Sequence, residues 1–420
     1  MTGVFILLSL VFWICALALA HTYVIYPLAM RILARKRRLP SSTAGSDGEN
    51  ATPPVVVFMA VYNEEAVLEE TLRSIGGNDY PADKLEIVIG SDGSTDRSHE
   101  IVRDFQERHP DRAIHLEVFG GRNGKIRIIN RLVEQVKERR PDWREAAFVL
   151  CDANVTWSRT LVRHLVRHFR EDRVGLVATN VLDKRSRHEG IGAAEDAYVS
   201  GENGTKFAEG VLWGRVMGAF GACYAIRGSL FQPVPEHHIV DDFYLTMMCF
   251  VQGRDAVMEP GATCYEPVSQ DISEEFRRKR RISTGNFQNL AHFRSFLRPW
   301  RCGWPTWFAF WSHKGLRWTG PLLLAAWSVS TAALSFLHPF YLLPTAGLAA
   351  GVAGAVMDEI AHRRGLRFSW KPLRFLRYFL LMNVALFLGM VSFLRGSTNS
   401  IWEPTRRPGA GETPALRVRS

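Results

Sequence analysis

The stretch Ala147-Phe148-Val149-Leu150-Cys151-Asp152-Ala153-Asn154 decides how the middle of this chain is read. An apolar run of strand length arrives at a carboxylate, with an amide two residues later. Asp and Asn have an ordinary use there, because their side chains bond nearby backbone groups and make turns and helix caps. The alternative is a metal site at the end of a strand. The rest of the chain has to choose between the two.

Outward from that stretch, short β-branched runs alternate with helical patterns between residue 54 and about residue 240. Val55 to Ala60 reads as a buried strand, Leu85 to Ile89 as a second and Ile114 to Phe119 as a third. Ala147 to Leu150 is the fourth and Val174 to Thr179 the fifth. Between the first two, Ala66, Leu68, Leu72 and Ile75 fall close to helical spacing, with Asn63 placed to cap that helix. Strands alternating with helices predict an α/β fold, a mainly parallel twisted sheet with helices on both faces. In such sheets ligands collect outside the carboxyl ends of the strands. What stands at those ends is polar: Val61-Tyr62-Asn63-Glu64-Glu65, then Ser91 to Asp96 (SDGSTD), Gly120 to Lys125 (GGRNGK) and Asp152-Ala153-Asn154.

Two nucleotide motifs are excluded. The dinucleotide fingerprint Gly-x-Gly-x-x-Gly does not follow the first strand. The phosphate loop of nucleotide hydrolases fails because Phe119 holds the place of its first glycine and Ile126 follows Lys125 where Ser or Thr is required.

The flanks of this block are apolar. Val4 to Ile32 is almost wholly apolar and long enough to cross a bilayer, which takes roughly 20 residues. Arg31, Arg35, Lys36, Arg37 and Arg38 close it, whereas a secretory signal carries its charges in front. The positive-inside bias then puts residue 35 on the cytoplasmic side. Thr319 to Leu337, Phe340 to Met357 and Tyr378 to Leu394 read as further spans. Before them, Phe293 to Trp300 and Trp304, Trp307, Trp311 and Trp318 mix aromatic and basic residues as the headgroup layer of a membrane favours.

The net charge of +10 is concentrated beside those apolar segments, at residues 31–38, 277–281 and 363–377. That distribution fits lipid and an anionic substrate, and argues against nucleic acid, for which a basic face and a known module are expected. The six cysteines show no close pairing and no metal spacing, so they read as free packing residues. Residues 39–53, rich in Ser, Gly and Pro, read as a linker.

Six stretches in order, VYNEE, SDGSTD, GKIRIIN, DAN, VDDF and RRKRRISTG, resemble the motifs of glycosyltransferase family 2. More narrowly, they resemble its membrane-embedded bacterial members, which make exopolysaccharide, cellulose, hyaluronan or related glycans. The resemblance covers about residues 54–290 and implies a nucleotide-sugar-binding domain of the A type. It divides the chain into an N-terminal transmembrane helix (1–32), a basic juxtamembrane segment and linker (33–53) and a cytoplasmic transferase domain (54–290). An interfacial amphipathic region (291–318), a transmembrane region of about three spans (319–394) and a tail (395–420) follow.

The resemblance also implies roles. The donor would be a nucleotide-diphospho-sugar, usually linked to uridine. Tyr62, Asn63 and Glu64 would line the nucleoside pocket, and Asp92 would accept a hydrogen bond from the base. Lys125 would meet the diphosphate, where a compact ammonium suits phosphate oxygens. Asp152 would ligate Mg²⁺ or Mn²⁺, both of which take oxygen donors. Asn154 stands where the family's Asp-x-Asp has its second Asp, so it brings less charge. Asp241 and Asp242 stand for the family's Glu-Asp, making Asp242 the general base. Arg278 and Arg281 align with the Gln and Arg of Gln-x-x-Arg-Trp, and Ile282 replaces its tryptophan, which stacks on the acceptor sugar. That replacement counts against processive polymerisation.

The leading expectation is therefore an inverting, metal-dependent, multi-pass enzyme of the inner membrane. It would add a sugar to a glycan or lipid-linked acceptor, next to other components of a glycan assembly or export system. A processive synthase, a transferase to polyprenyl phosphate and a non-catalytic membrane scaffold are the alternatives.

Overall fold

The computed structural model describes residues 2–37, 39, 52–184, 192–267, 272–364 and 370–396. In chain order, α1 (Thr2–Ala20) runs through a π-helical turn, His21–Ile25, into α2 (Tyr26–Ala34). There follow β1 (Val55–Val61), α3 (Leu68–Gly76), β2 (Leu85–Ser91), α4 (Ser98–Arg108), β3 (Ala113–Val118) and α5 (Lys125–Arg139). Next come β4 (Ala147–Cys151), β5 (Thr156–Trp157), α6 (Leu161–Val166), β6 (Val174–Asp183) and α7 (Gly192–Trp213). Then β7 (Cys223–Arg227), α8 (Asp241–Val251), β8 (Asp255–Glu266) and α9 (Ile272–His292) lead to short α10 (Pro299–Cys302), α11 (Trp304–Ala309) and α12 (Leu316–Trp318). Helices α13 (Gly320–Ser335), α14 (Leu342–Arg363) and α15 (Lys371–Leu394) complete the series.

These elements form two compact units. The globular unit holds the described residues within 39–185 and 218–267. Its sheet has the order β3-β2-β1-β4-β7-β6-β8-β5. Pairing is parallel from β3 through β2 and β1 to β4, and again between β6 and β8. It is antiparallel where β7 inserts between β4 and β6, and at β5 against β8. The sheet is therefore mixed, with four of its seven strand pairings among the described residues parallel. Every residue of β1, β2 and β4 is buried, which is why β1 and β4 read as continuous apolar runs instead of alternating ones, as β2 does between Ile87 and Ile89. Leu68, Leu72 and Ile75 of α3 and Ile128, Ile129, Leu132 and Val136 of α5 supply buried helix faces.

One expected cap is corrected. The first helix begins at Leu68, and Asn63 does not cap it. Asn63 takes a positive φ of 51°, which its short polar side chain tolerates, and its Oδ1 accepts a hydrogen bond from the backbone N–H of Thr95 at 2.8 Å.

The other unit is built from described residues within 1–38, 186–217 and 268–398. Three helices in it are long and apolar enough to cross a membrane: Thr2–Ala34, Pro339–Ala361 and Pro372–Leu394. The segment expected as a span from Thr319 is a 16-residue helix, α13. At 1.5 Å per residue it is about 24 Å long, short of the roughly 30 Å hydrocarbon core. It packs on α1 through Phe12, stacked on Trp327 at 6.0 Å, and through Leu334.

Polar side chains lock this unit from within. His313 lies between Glu209 (2.7 Å from Nδ1) and Glu202 (2.9 Å from Nε2), while Lys314 and Arg317 also reach Glu202. Tyr26 donates to Glu209 at 2.9 Å. Charges withdrawn from water need such complete pairing to be tolerated. On the segments before α13, Trp300 and Trp304 are 76% and 61% exposed.

One carboxylate of the globular unit makes an acid-sensitive brace. Glu259 is buried and accepts from His168 Nε2 at 2.6 Å, from the Gly261 N–H at 2.7 Å and from Arg167. Burial alone would push its pKa up; the donors override that and hold it at about 2, against an ordinary 4.5. A depressed folded-state pKa gives stability that is present above the unfolded value and fades as pH falls towards the folded one. We expect the melting temperature of the protein to drop between about pH 4.5 and pH 2. Glu259→Gln should lower it at neutral pH, by about 3 kcal/mol of stability, and flatten that acid slope. Thermal unfolding followed by tryptophan fluorescence across pH reads both.

Candidate functional site

Parallel pairing sets Val61 opposite Ser91, so the chain leaves β1 and β2 side by side. Tyr62 and Asp92 are the next residues, and the Asp92 N–H bonds back to the Val61 carbonyl at 2.8 Å. On the other side of β1, β4 delivers Asp152 to the same rim. Because β7 runs antiparallel to β4, with Cys223 opposite Cys151, the residues before β7 arrive there too. The Asp152 N–H donates to Ala222 O at 3.0 Å.

Asp92 is completely buried. One carboxylate oxygen accepts from the Asn123 N–H; the other accepts from the Gly124 N–H at 3.0 Å and from Arg122 Nε at 3.3 Å. Arg122 also lies over the Tyr62 ring, 3.3 Å from its centroid. Asp92 is thus the anchor of the loop 120–124. The neighbouring Gly93 has φ of +74°, and a Cβ there would stand 2.7 Å from Gly121 O, so the two loops touch backbone to backbone. Around them, Ser94 Oγ accepts from the Asn63 N–H at 3.1 Å, and Ser98 Oγ from the Glu64 N–H at 3.0 Å.

Lys125 opens α5 directly after that loop. Its ammonium is 2.8 Å from Asp152 Oδ1 and 3.5 Å from Asp241 Oδ2. Burial alone would lower its pKa; the carboxylates Asp152, Asp241 and Asp242 override this and hold it above its ordinary value. Asp241 and Asp242 form the first turn of α8, where acidic side chains also suit the helix dipole. Asp242 Oδ1 accepts from the Phe243 N–H at 2.7 Å. Gly221 passes so close that a Cβ would lie 3.1 Å from Asp242 Oδ2. Tyr224, fully buried on β7, has a hydroxyl that finds no hydrogen-bond partner among the described residues. Burial first, then the nearby Asp241, Asp242 and Asp152, push its pKa up.

The structure thus brings Tyr62, Asn63, Glu64, Asp92, Lys125, Asp152, Asn154, Asp241 and Asp242 into one unit. Asn154 is half-buried in the turn after Asp152. Arg278 and Arg281 are on α9, in the unit with the long apolar helices, where Arg278 faces Glu275 at 3.8 Å. Two residues escaped the sequence reading. Arg122 was legible only as one more basic residue of GGRNGK, and Tyr224 was hidden in an apolar strand. Among the described residues, no three His, Cys, Asp or Glu side chains already stand in metal-binding geometry.

Residues 53–285 match the family described as glycosyltransferase like family 2. The chain is 25% identical over 328 residues to the beta-monoglucosyldiacylglycerol synthase of Synechocystis sp., covering 76% of this chain and 61% of that one. It is 24% identical over 254 residues to a poly-beta-1,6-N-acetyl-D-glucosamine synthase of Staphylococcus epidermidis, covering 59% of this chain and 56% of that one. It therefore spans less than two thirds of the length of these curated relatives. A mannosyltransferase from Pyrobaculum calidifontis, solved in complex with GDP-Man and Mn²⁺, superimposes with a TM-score of 0.65. Identity there is 24%, over 91% of this chain and 99% of that one, which shows a shared fold.

The Asp92 anchor makes a prediction of its own. Asp92→Asn replaces one acceptor oxygen by an NH₂ that faces backbone donors. An unsatisfied buried group costs about 1–3 kcal/mol. We expect a lower melting temperature and faster proteolytic cleavage within residues 120–124, with the rest of the protein still folded.

Proposed function

The chain belongs to glycosyltransferase family 2, and from that premise we propose that it moves a sugar from a nucleotide-diphospho-sugar, UDP-linked by preference, onto a hydroxyl of a glycan or lipid-linked acceptor. The observation that carries this reading is the rim on which Lys125 contacts Asp152 and Asp241, with Asp242 the next residue, beside the Tyr62–Asp92 corner. The nucleoside would enter over Tyr62, Asn63 and Glu64, with Arg122 moving off the Tyr62 ring. Lys125 would take the diphosphate.

The residues fit a divalent cation of the Mg²⁺ or Mn²⁺ kind. Their donors are carboxylate oxygens, which hard cations prefer, and the buried Tyr224 hydroxyl beside them is unsatisfied among the described residues. Asp152 and Asn154 would hold the ion, with Asp241 turned to the same side through its approach to Lys125. Bound there, the cation neutralises charge that develops on the leaving diphosphate.

Asp242 would act as base. It takes the proton of the acceptor hydroxyl as that oxygen bonds to the anomeric carbon, while the bond to the diphosphate breaks on the opposite face. The sugar leaves with inverted configuration. Arg278 and Arg281 would add phosphate contacts from α9, and Ile282, without a ring to stack on an acceptor sugar, favours single or short additions.

The work would be done at the cytoplasmic face of the inner membrane, in surface-glycan or exopolysaccharide synthesis. The long apolar helices and the basic clusters at 31–38 and 363–377 support that placement.

A positioned base contributes about 10²–10⁴-fold, or roughly 3–5 kcal/mol of barrier. Asp242→Asn should lower turnover by about that factor and leave donor affinity nearly unchanged, with Asp241→Asn costing less turnover. Undiminished turnover in Asp242→Asn would instead favour an acceptor that is already ionised, such as a lipid phosphate. In a second assay, Asp152→Ala and chelation should each abolish transfer, and Mn²⁺ should restore only the chelated wild type. Full activity in chelator contradicts the metal assignment. Product sizing tests Ile282: long polymer from the first turnovers would support a processive synthase.

A further inference from the structure

The position of Lys125 carries a consequence for the order of binding, which rests on the nucleotide-sugar reading of the same rim. The ammonium is 2.8 Å from Asp152 Oδ1 and 3.5 Å from Asp241 Oδ2, and only 23% of the side chain is exposed. A divalent ion bound by Asp152 needs the same oxygens, at about 2.0–2.6 Å. It cannot share that space with the ammonium, and the two cations repel. The three carboxylates nonetheless need a positive partner when no donor is present, because like charges this close destabilise one another. We infer that Lys125 is a placeholder cation: it keeps the metal site closed until a nucleoside diphosphate offers it a second anion, and the metal and the donor therefore bind as a pair.

The geometry gives Lys125 a place to go. It is the first residue of α5, and it follows directly on the loop 120–124 that Asp92 ties down. Swinging the side chain from Asp152 towards a diphosphate needs no change in the helix. The exchange replaces the lysine's carboxylate partners by phosphate oxygens and frees both Asp152 and Asp241 for the metal. Tyr224, whose buried hydroxyl has no hydrogen-bond partner among the described residues, lies beside the carboxylates that would be released.

The test is Mn²⁺ binding to the full chain in detergent, read by the electron paramagnetic resonance signal of free Mn²⁺, with no donor sugar and no turnover. Without nucleotide, the wild type should bind Mn²⁺ weakly, and UDP, with GDP in parallel, should tighten it by at least about 10-fold. Lys125→Met should bind Mn²⁺ at least about 10-fold tighter than wild type without nucleotide, and should gain less from UDP. Lys125→Arg keeps a cation in place and should resemble the wild type.

Equal nucleotide-free affinity in the wild type and Lys125→Met overturns the placeholder alone. Should Lys125→Met not fold, the wild type decides by itself, since nucleotide-free affinity as tight as with UDP also overturns it. No Mn²⁺ binding by any form, with or without UDP or GDP, overturns the placeholder together with the metal assignment, and transfer that persists in chelator would then leave the transferase reading standing without a metal.

Discussion

The ammonium of Lys125 holds two carboxylates of one rim together, Asp152 at 2.8 Å and Asp241 at 3.5 Å, with the charge of Asp242 acting on it as well, and that constraint organises the globular unit. Two carboxylates about 4 Å apart repel by roughly 4 kcal/mol even at an effective dielectric of 20. Asp152, Asp241 and Asp242 come from a strand end and a helix start far apart in sequence, and only a cation between them makes the arrangement tolerable. The strand order serves this end. With β1 between β2 and β4, Tyr62, Asp92 and Asp152 emerge from adjacent strands, and antiparallel β7 brings Gly221 to the same edge, against Asp242. Asp92 then fixes the loop that presents Lys125. A chemically active rim is thus assembled from backbone register, and its charge balance is local.

The helical unit follows the same rule in a drier setting. Glu202, Glu209 and His313 are all buried, and each is satisfied by groups of its own unit. Likewise Lys279 joins Glu195 at 2.9 Å and Glu275 at 3.2 Å, so α7 and α9 are clamped by charge as well as by packing. Removing one member of such a set leaves its partner buried and unpaired, which is why these contacts specify one arrangement of helices.

Much of this was legible before the fold was seen. Strands β1 and β4 announce themselves as unbroken apolar runs because both of their faces are covered, and β2 does so apart from Glu86 and its polar end. The polar motifs mark their carboxyl ends because ligands must be met where the sheet stops. Asp152, read as either a turn residue or a metal ligand, sits at a turn and faces a cation. What stayed hidden has physical causes. Strand β8 was not read from the sequence at all; it carries Pro260-Gly261 at an irregularity in its pairing with β6. Strand β7 is too short to be told from a buried helix turn, so the antiparallel insertion was invisible. Asn63 looked like a cap because Asn favours caps, and it favours positive φ for the same reason: its side chain can replace a backbone partner. Composition alone made the segment from Thr319 a span, whereas helix length makes α13 short for one.

The most direct test is an anomalous-scattering map from crystals of the protein grown with Mn²⁺ and UDP. The account predicts one strong manganese peak within coordination distance of Asp152, the diphosphate beside the start of α5, and the Lys125 ammonium moved from Asp152 onto a phosphate oxygen. A manganese peak remote from Asp152, or a diphosphate bound away from the rim while Lys125 keeps its 2.8 Å contact with Asp152, would contradict it.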